Sequence, residues 1–162
     1  TDSGSNTALI KQTLLQSKAA AANFVAMKNT ATTAAQGLLE CEENYQQLAQ
    51  PFGVTILGMG PDGHTASLFP RAQGLESALD QPSHSLCSAI TANQSAVTGS
   101  LTERMTLSLY GLMQSSRIYL LITGQEKLDV YRRALASPEV ELTPVSAVLQ
   151  QQKVPVAVYW AP

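Results

Sequence analysis

Cysteine and charge are both scarce in this 162-residue chain. The two cysteines, Cys41 and Cys87, lie far apart and form no C-x-x-C pair, so neither a disulfide framework nor a zinc site is indicated. A reducing cytoplasm fits this cysteine usage best. Charged residues make up 14% of the chain, the net charge is -2, and no long run of lysine and arginine is present. We therefore expect neither a nucleic-acid partner nor binding to an anionic membrane.

Long apolar runs are also missing. No stretch approaches the ~20 residues that span a bilayer, and the opening residues, TDSGSNTALI, lack the charged and apolar regions of a signal peptide. The hydrophobic content of 44% is nevertheless sufficient for a core, and the length suits one domain. We expect a single globular domain over residues 1–162, without a membrane partner. The oligomeric state is not indicated.

Strand-like and helix-like segments alternate along most of the chain. Apolar runs typical of strands lie at 53–58, 86–92, 104–108, 117–123 and 154–160. Helical spacing is found at 6–15, 31–50, 71–80, 109–114, 125–136 and 145–151. No hairpin turn is indicated, so we predict an α/β fold with a mainly parallel, Rossmann-like open sheet flanked by helices on both faces. The polar opening offers no first strand, and we expect the N-terminal strands of such a sheet to be missing.

The stretch 54–70, VTILGMGPDGHTASLFP, organises the chain. Its apolar start is typical of a buried strand, which runs directly into a turn containing three glycines: Gly58, Gly60 and Gly63. Glycine permits positive φ and leaves no side chain to keep a ligand away. Asp62 and His64 stand at the C-terminal end of the strand, which is the edge where open α/β sheets bind small ligands.

This turn has four possible interpretations. Asp-Gly between apolar runs is ordinarily a hairpin turn, but residues 65–70 end in proline and lack the alternation of a returning strand. Residues 58–63 also satisfy the dinucleotide fingerprint G-x-G-x-x-G, yet the acidic candidate Asp80 precedes the next apolar run instead of ending it. A Walker-type phosphate loop is excluded, because no Gly-Lys-Ser/Thr follows. The fourth interpretation is a catalytic turn in which His64 is the general base.

Other ionisable residues are weaker candidates. Lys127 falls in the first turn of the predicted helix 125–136, where the helix dipole disfavours a cation, so it is either a solvent-exposed lysine or an anion ligand. His84 lies in a polar run and is predicted to be on the surface. The acidic residues of the helix at 31–50 predict a solvated face: Glu40, Glu42 and Glu43. Surface positions are also expected for Arg71, Arg117, Arg132 and Arg133.

The thirteen residues of GMGPDGHTASLFP, 58–70, resemble the signature of the 6-phosphogluconolactonases, which form one superfamily with the glucosamine-6-phosphate isomerases. The same resemblance extends to residues 5–9, 103–108 and 121–127. In the deaminating isomerases a glutamate stands before the closing proline, where this chain has Phe69. The resemblance therefore favours lactone hydrolysis over isomerisation or deamination.

This resemblance implies hydrolysis of 6-phosphoglucono-1,5-lactone to 6-phosphogluconate, a cytoplasmic step of the pentose phosphate pathway. A lactone is an activated ester, so we expect no cofactor and no metal. His64 is expected to take a proton from the attacking water and to return it to the ring oxygen. Asp62 is expected either to orient the imidazole or to bind sugar hydroxyls, and amides of the turn at 58–63 to stabilise the oxyanion.

The resemblance also implies a binding role for the turn glycines and assigns the phosphate of the sugar substrate to Arg104 and Lys127. Asn6 is expected either to cap the first helix, together with Ser5, or to border the substrate pocket. His64 is expected in the first turn of a short helix, whose dipole would lower its pKa and keep the imidazole neutral.

Members of this family carry an upstream phosphate loop and an Asp-Glu-Arg stretch that this sequence does not contain. Three hypotheses therefore stand. The favoured one is a lactonase, the second is a sugar-phosphate isomerase or deaminase, and the third is a noncatalytic sugar-phosphate-binding module.

Overall fold

A computed structural model describes residues 6–136 and 139–162 and contains two separate sheets. The helices are α1 (Asn6–Thr13), α2 (Ala34–Gln46), α3 (Leu75–Leu79), α4 (Leu109–Met113), α5 (Gln125–Ala136) and α6 (Val145–Gln150). Short 3-10 helices lie at Ser17–Ala21 and Gln81–Ser83. The strands are β1 (Thr55–Gly58), β2 (Cys87–Thr91), β3 (Glu103–Leu107), β4 (Ile118–Thr123) and β5 (Val156–Ala161).

The larger sheet is parallel and has the strand order β1-β4-β5. Its register places Leu57, Leu120 and Val158 side by side on one face. That face forms the main core, in which Leu120 is fully buried and packs with residues of α5 such as Val130 and Ala134. The predicted α/β architecture with a mainly parallel sheet and flanking helices is confirmed.

The other face of the parallel sheet is exposed in the part of the chain that the structure describes. The exposed fraction is 66% at Ile56, 48% at Leu121 and 59% at Tyr159. Alternation along a strand sends these side chains away from the core, because their neighbours in sequence point into it. The sequence predicted helices on both faces, whereas among the described residues α3, α4, α5 and α6 all pack into the core on one face of this sheet.

The smaller sheet pairs β2 with β3 in antiparallel fashion and places Cys87 opposite Leu107. The sequence predicted both strands but not this pairing, since residues 92–102 connect them through a long loop and not a tight hairpin turn. Helix α2 packs on this sheet. Its Glu42 carboxylate accepts hydrogen bonds from the N–H groups of Leu86 (2.9 Å) and Cys87 (2.7 Å). Glu42 therefore joins α2 to β2, and its predicted role as a purely solvated residue is wrong.

Helices α5 and α1 both leave leucines exposed. Helix α5 has the predicted bounds, but it buries Val130 and Ala134 while Leu135 is 49% exposed. Helix α1 buries no residue, and Leu9 is 57% exposed. The predicted capping residue Ser5 lies outside the described residues. None of the described helices is long and apolar enough to cross a membrane.

Candidate functional site

Hydrogen bonds within the glycine turn fix its shape. The N–H of Gly60 donates to the carbonyl of His64, and the N–H of Gly63 donates to the carbonyl of Gly60, both at 3.0 Å. The Thr65 hydroxyl donates to the carbonyl of Gly58 at 2.8 Å. Because the amides of Gly60 and Gly63 are engaged inside the turn, the prediction that turn amides bind the oxyanion is wrong for these two.

At two of the glycines, Gly60 and Gly63, there is no room for a side chain. A Cβ on Gly60 would overlap the imidazole of His64 and the carboxylate of Asp62. Gly63 has a φ of +82°, which disfavours a side chain, and a Cβ there would approach Thr143 to 2.7 Å. The turn therefore closes directly onto the imidazole and onto the segment that precedes α6.

The imidazole of His64 is held by the carboxylate of Asp62. Nδ1 of His64 lies 2.6 Å from Oδ1 of Asp62, and the same oxygen accepts the backbone N–H of His64 at 3.2 Å. An ionised carboxylate can only accept, so the neutral ring carries its proton on Nδ1 and leaves the Nε2 lone pair free. This geometry is that of an orienting carboxylate.

Asp62 is ionised at neutral pH. Burial by itself raises the pKa of this carboxyl, but the hydrogen bonds from the side chain and backbone of His64 outweigh burial and hold its pKa below the ordinary value. The side chains of His64 and Asp62 are 20% and 28% exposed. The pair is thus partly shielded and still reachable from solvent.

The helix predicted at His64 is absent, because residues 61–70 run through consecutive turns and the next helix, α3, begins at Leu75. The predicted helix-dipole effect on the imidazole therefore has no helix to produce it. Instead, the ring of Phe69 packs against the imidazole with a centroid separation of 4.3 Å and an interplanar angle of 33°. Phe69 is 6% exposed, so this aromatic contact is fixed by the core.

A cavity of about 600 Å³ opens beside this pair. It brings together most of the predicted site residues: Asn6, Gly58, Gly60, His64 and Lys127. Asp62 contacts His64 but does not line the cavity, and neither does Gly63. Apolar side chains, including Met27 and Met105, line the same cavity.

Lys127 is the third residue of α5, which follows Gly124 with its φ of +80°. The side chain is half-buried. Its ammonium makes no ion pair or hydrogen bond with residues 6–136 and 139–162. Three N–H donors are therefore available for an anion in the cavity.

Arg104 is not brought to the cavity wall. Its guanidinium donates to the carbonyls of Glu103 (3.2 Å) and Thr98 (3.5 Å). Three other residues of β3 line the cavity, namely Met105, Thr106 and Leu107, and the sequence did not predict them there. Thr106 is the polar one and is 2% exposed. Its hydroxyl accepts the N–H of Ser67 at 3.1 Å and donates to the carbonyl of Leu107 at 3.0 Å. Strand alternation does not single out Thr106, because its neighbours Met105 and Leu107 line the cavity as well.

The remaining charged candidates lie outside the cavity. His84 is exposed and packs its ring against Tyr110 at a centroid separation of 4.9 Å. The predicted surface positions are confirmed for this histidine and for the arginines at 71, 117, 132 and 133. His64 is therefore the histidine that faces the cavity.

Comparisons with known proteins agree with one another. Residues 1–160 match the family model described as glucosamine-6-phosphate isomerases/6-phosphogluconolactonase. The 6-phosphogluconolactonase of Rhizobium meliloti (strain 1021) is 34% identical over 162 residues, which are 98% of this chain and 66% of that protein. The 6-phosphogluconolactonase of Mesorhizobium japonicum is 35% identical over 158 residues, which are 98% of this chain and 63% of that protein.

A solved structure shows the same likeness in three dimensions. The crystal structure of a 6-phosphogluconolactonase from Shewanella baltica OS155 superposes with a TM-score of 0.90 at 40% identity, covering 99% of this chain and 66% of that one. The chain therefore spans less than two thirds of the length of the curated relatives it matches.

Proposed function

The chain belongs to the glucosamine-6-phosphate isomerase/6-phosphogluconolactonase family, and on this premise we propose that it hydrolyses 6-phosphoglucono-1,5-lactone to 6-phosphogluconate in the pentose phosphate pathway. The observation that carries this proposal is the Asp62–His64 hydrogen bond of 2.6 Å, with the imidazole facing a cavity that also contains Lys127. An oriented base and a free cation in one cavity suit an ester that bears a distant phosphate.

In the proposed reaction, Nε2 of His64 takes a proton from a water molecule, whose oxygen attacks the lactone carbonyl carbon. The imidazolium that forms is stabilised by the carboxylate of Asp62. The tetrahedral intermediate then collapses, the bond from the carbonyl carbon to the ring oxygen breaks, and His64 returns the proton to that oxygen. One water molecule is consumed, and the base ends in its starting state without a cofactor.

The phosphate of the substrate is proposed to bind Lys127. Binding energy from this remote group holds the lactone carbonyl against the base. Gly58 and Gly60 keep the cavity wall free of side chains, and Asn6 offers an amide at its border. A phosphate role for Arg104 requires its side chain to leave the Thr98 carbonyl, so we propose it as the secondary anion contact.

Two alternatives have specific tests. Phe69 supplies an apolar ring where the deaminating isomerases place a carboxylate, so we expect no release of ammonia from glucosamine 6-phosphate. A noncatalytic binding module is supported by the position of Arg104 outside the cavity wall and by the fraction of its relatives' length that the chain spans.

We further propose a cytoplasmic location, which is supported by the two free cysteines.

The deciding experiment measures lactone hydrolysis above the spontaneous rate, in parallel with calorimetric titration of 6-phosphogluconate. We expect turnover, and we expect His64→Ala to lower kcat by about 10²-fold or more while the variant remains folded. His84→Asn, at the exposed histidine, is the matched control and is expected to leave kcat unchanged. Binding without turnover would instead identify a noncatalytic module, and unchanged turnover in His64→Ala would remove this residue from the mechanism.

A further inference from the structure

Two cysteines that are 46 positions apart in sequence meet in the smaller core. Cys41 lies on α2 and Cys87 on β2, and their sulfur atoms are 3.6 Å apart. The exposed fractions are 1% and 2%, and no described residue separates the two thiols. We propose that Cys41 and Cys87 are a site of reversible disulfide formation that crosslinks α2 to β2.

The backbones on either side of this pair are already held together. Glu42, the residue after Cys41, accepts the N–H groups of Leu86 and Cys87 at 2.9 and 2.7 Å. These two hydrogen bonds fix the position of α2 relative to the N-terminal end of β2. The S–S bond length of ~2.05 Å requires the sulfurs to approach by about 1.5 Å. Side-chain rotation combined with a small shift of α2 supplies such a movement.

The two thiols are chemically unequal. The hydrogen bond with Cys87 lowers the pKa of Cys41, although burial and the nearby carboxylates of Glu42 and Glu40 act against this. The hydrogen bond with Cys41 and burial raise the pKa of Cys87. The thiolate is the nucleophile in thiol–disulfide exchange, so the lowered pKa of Cys41 favours this thiol as the attacking sulfur.

The oxidant we name is a low-molecular-weight disulfide, represented by glutathione disulfide. The Cys41 thiolate attacks one of its sulfurs, the S–S bond breaks, and one glutathione thiolate leaves with the electron pair. Cys87, after losing its proton, attacks the sulfur of Cys41 in the mixed disulfide and releases the second glutathione. Two protein thiols are thus oxidised and one glutathione disulfide is reduced. Access to the buried pair comes through local opening of α2 from β2.

The crosslink lies next to the cavity. Cys87 pairs with Leu107 across the antiparallel sheet, and Leu107 and its neighbour Thr106 line the cavity. The disulfide therefore fastens the strand pair that carries one cavity wall to the helix behind it. This inference depends on the two thiols alone and is independent of the proposed lactonase activity.

The test is an equilibrium measurement in glutathione redox buffers, performed on the folded chain and on the chain in concentrated urea. After acid quenching and thiol alkylation, intact mass separates the unalkylated disulfide form from the doubly alkylated dithiol. Because the fold holds the sulfurs together, we expect their effective concentration to be at least ~10-fold higher in the folded chain than in urea. An equal or lower value in the folded chain would overturn the proposal.

Serine variants at each position provide the controls. Cys41→Ser and Cys87→Ser each retain one thiol and are expected to yield only a mixed disulfide with glutathione. If a serine variant does not fold, the comparison of wild-type protein with and without urea still decides. The oxidised wild-type chain is also expected to melt roughly 5 °C or more above the reduced chain. A lower melting temperature after oxidation would contradict the proposed geometry.

Discussion

His64 and Lys127 line the same cavity, but among the described residues the side chain of His64 is held by its neighbours and that of Lys127 is not. His64 is held by the Asp62 carboxylate on one ring nitrogen, by the Phe69 ring on its face and by the space left at Gly60. Lys127 extends from the first turn of α5 without an ion pair or hydrogen bond to the described residues. A general base must be aligned before substrate arrives, whereas an ammonium serves as a point charge and tolerates movement. If the proposed function is correct, we expect changes at His64 to lower kcat and changes at Lys127 to raise KM.

After removal of His64 itself, the largest effect on this comparison is expected from removing the carboxylate that orients the imidazole. In Asp62→Asn the amide can donate as well as accept, so the ring is no longer confined to the tautomer with a free Nε2. We expect kcat to fall by about 10²-fold with little change in KM, as for an orienting carboxylate. Steady-state kinetics check this. Asp129→Asn, at an exposed carboxylate paired with Arg132, is the control and should match the wild-type protein.

A second substitution, in the glycine turn, displaces the imidazole of His64. Gly60→Ala introduces a methyl group that overlaps the imidazole and the Asp62 carboxylate, so the pair must shift. We expect kcat to fall roughly tenfold, which corresponds to about 1.4 kcal/mol of lost transition-state stabilisation. Gly53→Ala is the matched control, because a Cβ there meets no atom within 4 Å. Equal kinetics in the two variants would show that the ring position does not limit turnover.

A substitution at Lys127 should change KM more than kcat. Lys127→Ala removes the free ammonium, and we expect KM to rise by about tenfold while kcat changes less, since a charge-assisted contact to the phosphate is lost. Arg133→Ala, which removes an exposed cation from the same helix, is the control. The same truncation at Arg104 is expected to raise KM by a smaller factor, because its guanidinium is turned toward backbone carbonyls. A larger effect at Arg104 than at Lys127 would reverse this assignment.

The smallest expected effect is a pH dependence of stability. The pKa of Asp62 is lowered in the folded chain, so its contribution to the free energy of unfolding is present above the unfolded value of 3.8 and is lost as pH falls through the folded value. Wild-type protein should therefore be more stable than Asp62→Asn at pH 5, and the difference should shrink below pH 3.8. Urea unfolding of both proteins across this range provides the measurement. A difference that grows on acidification would contradict the lowered pKa.

The parts of the fold predicted from sequence are those determined locally. Helix α5 has its predicted bounds because a glycine with positive φ precedes an amphipathic run, and β4 follows from a continuous apolar run. The helix predicted at His64 failed for an equally local reason. The Asp62 carboxylate bonds the N–H of His64, and this Asx-type contact competes with a helical turn.

What the sequence left open depends on contacts between distant segments. The antiparallel pairing of β2 with β3 joins runs separated by a long loop, and the contact of Cys41 with Cys87 spans 46 positions. The orientation of Arg104 depends on hydrogen bonds from its guanidinium to nearby backbone carbonyls, which a sequence motif does not specify. For the site, the turn and the importance of His64 could therefore be predicted, while the contact of Phe69 with the imidazole and the place of Thr106 in the cavity wall required the assembled core.

The exposed face of the parallel sheet has a consequence for the chain in solution. Water in contact with Ile56, Leu121 and Tyr159 is released whenever another apolar surface covers them, and that release is favourable. Its strength grows on warming and with excluded salts such as sulfate. We therefore expect any self-association of the chain to be strongest in warm, concentrated solutions that contain such salts, and weakest in cold, dilute, low-salt buffer.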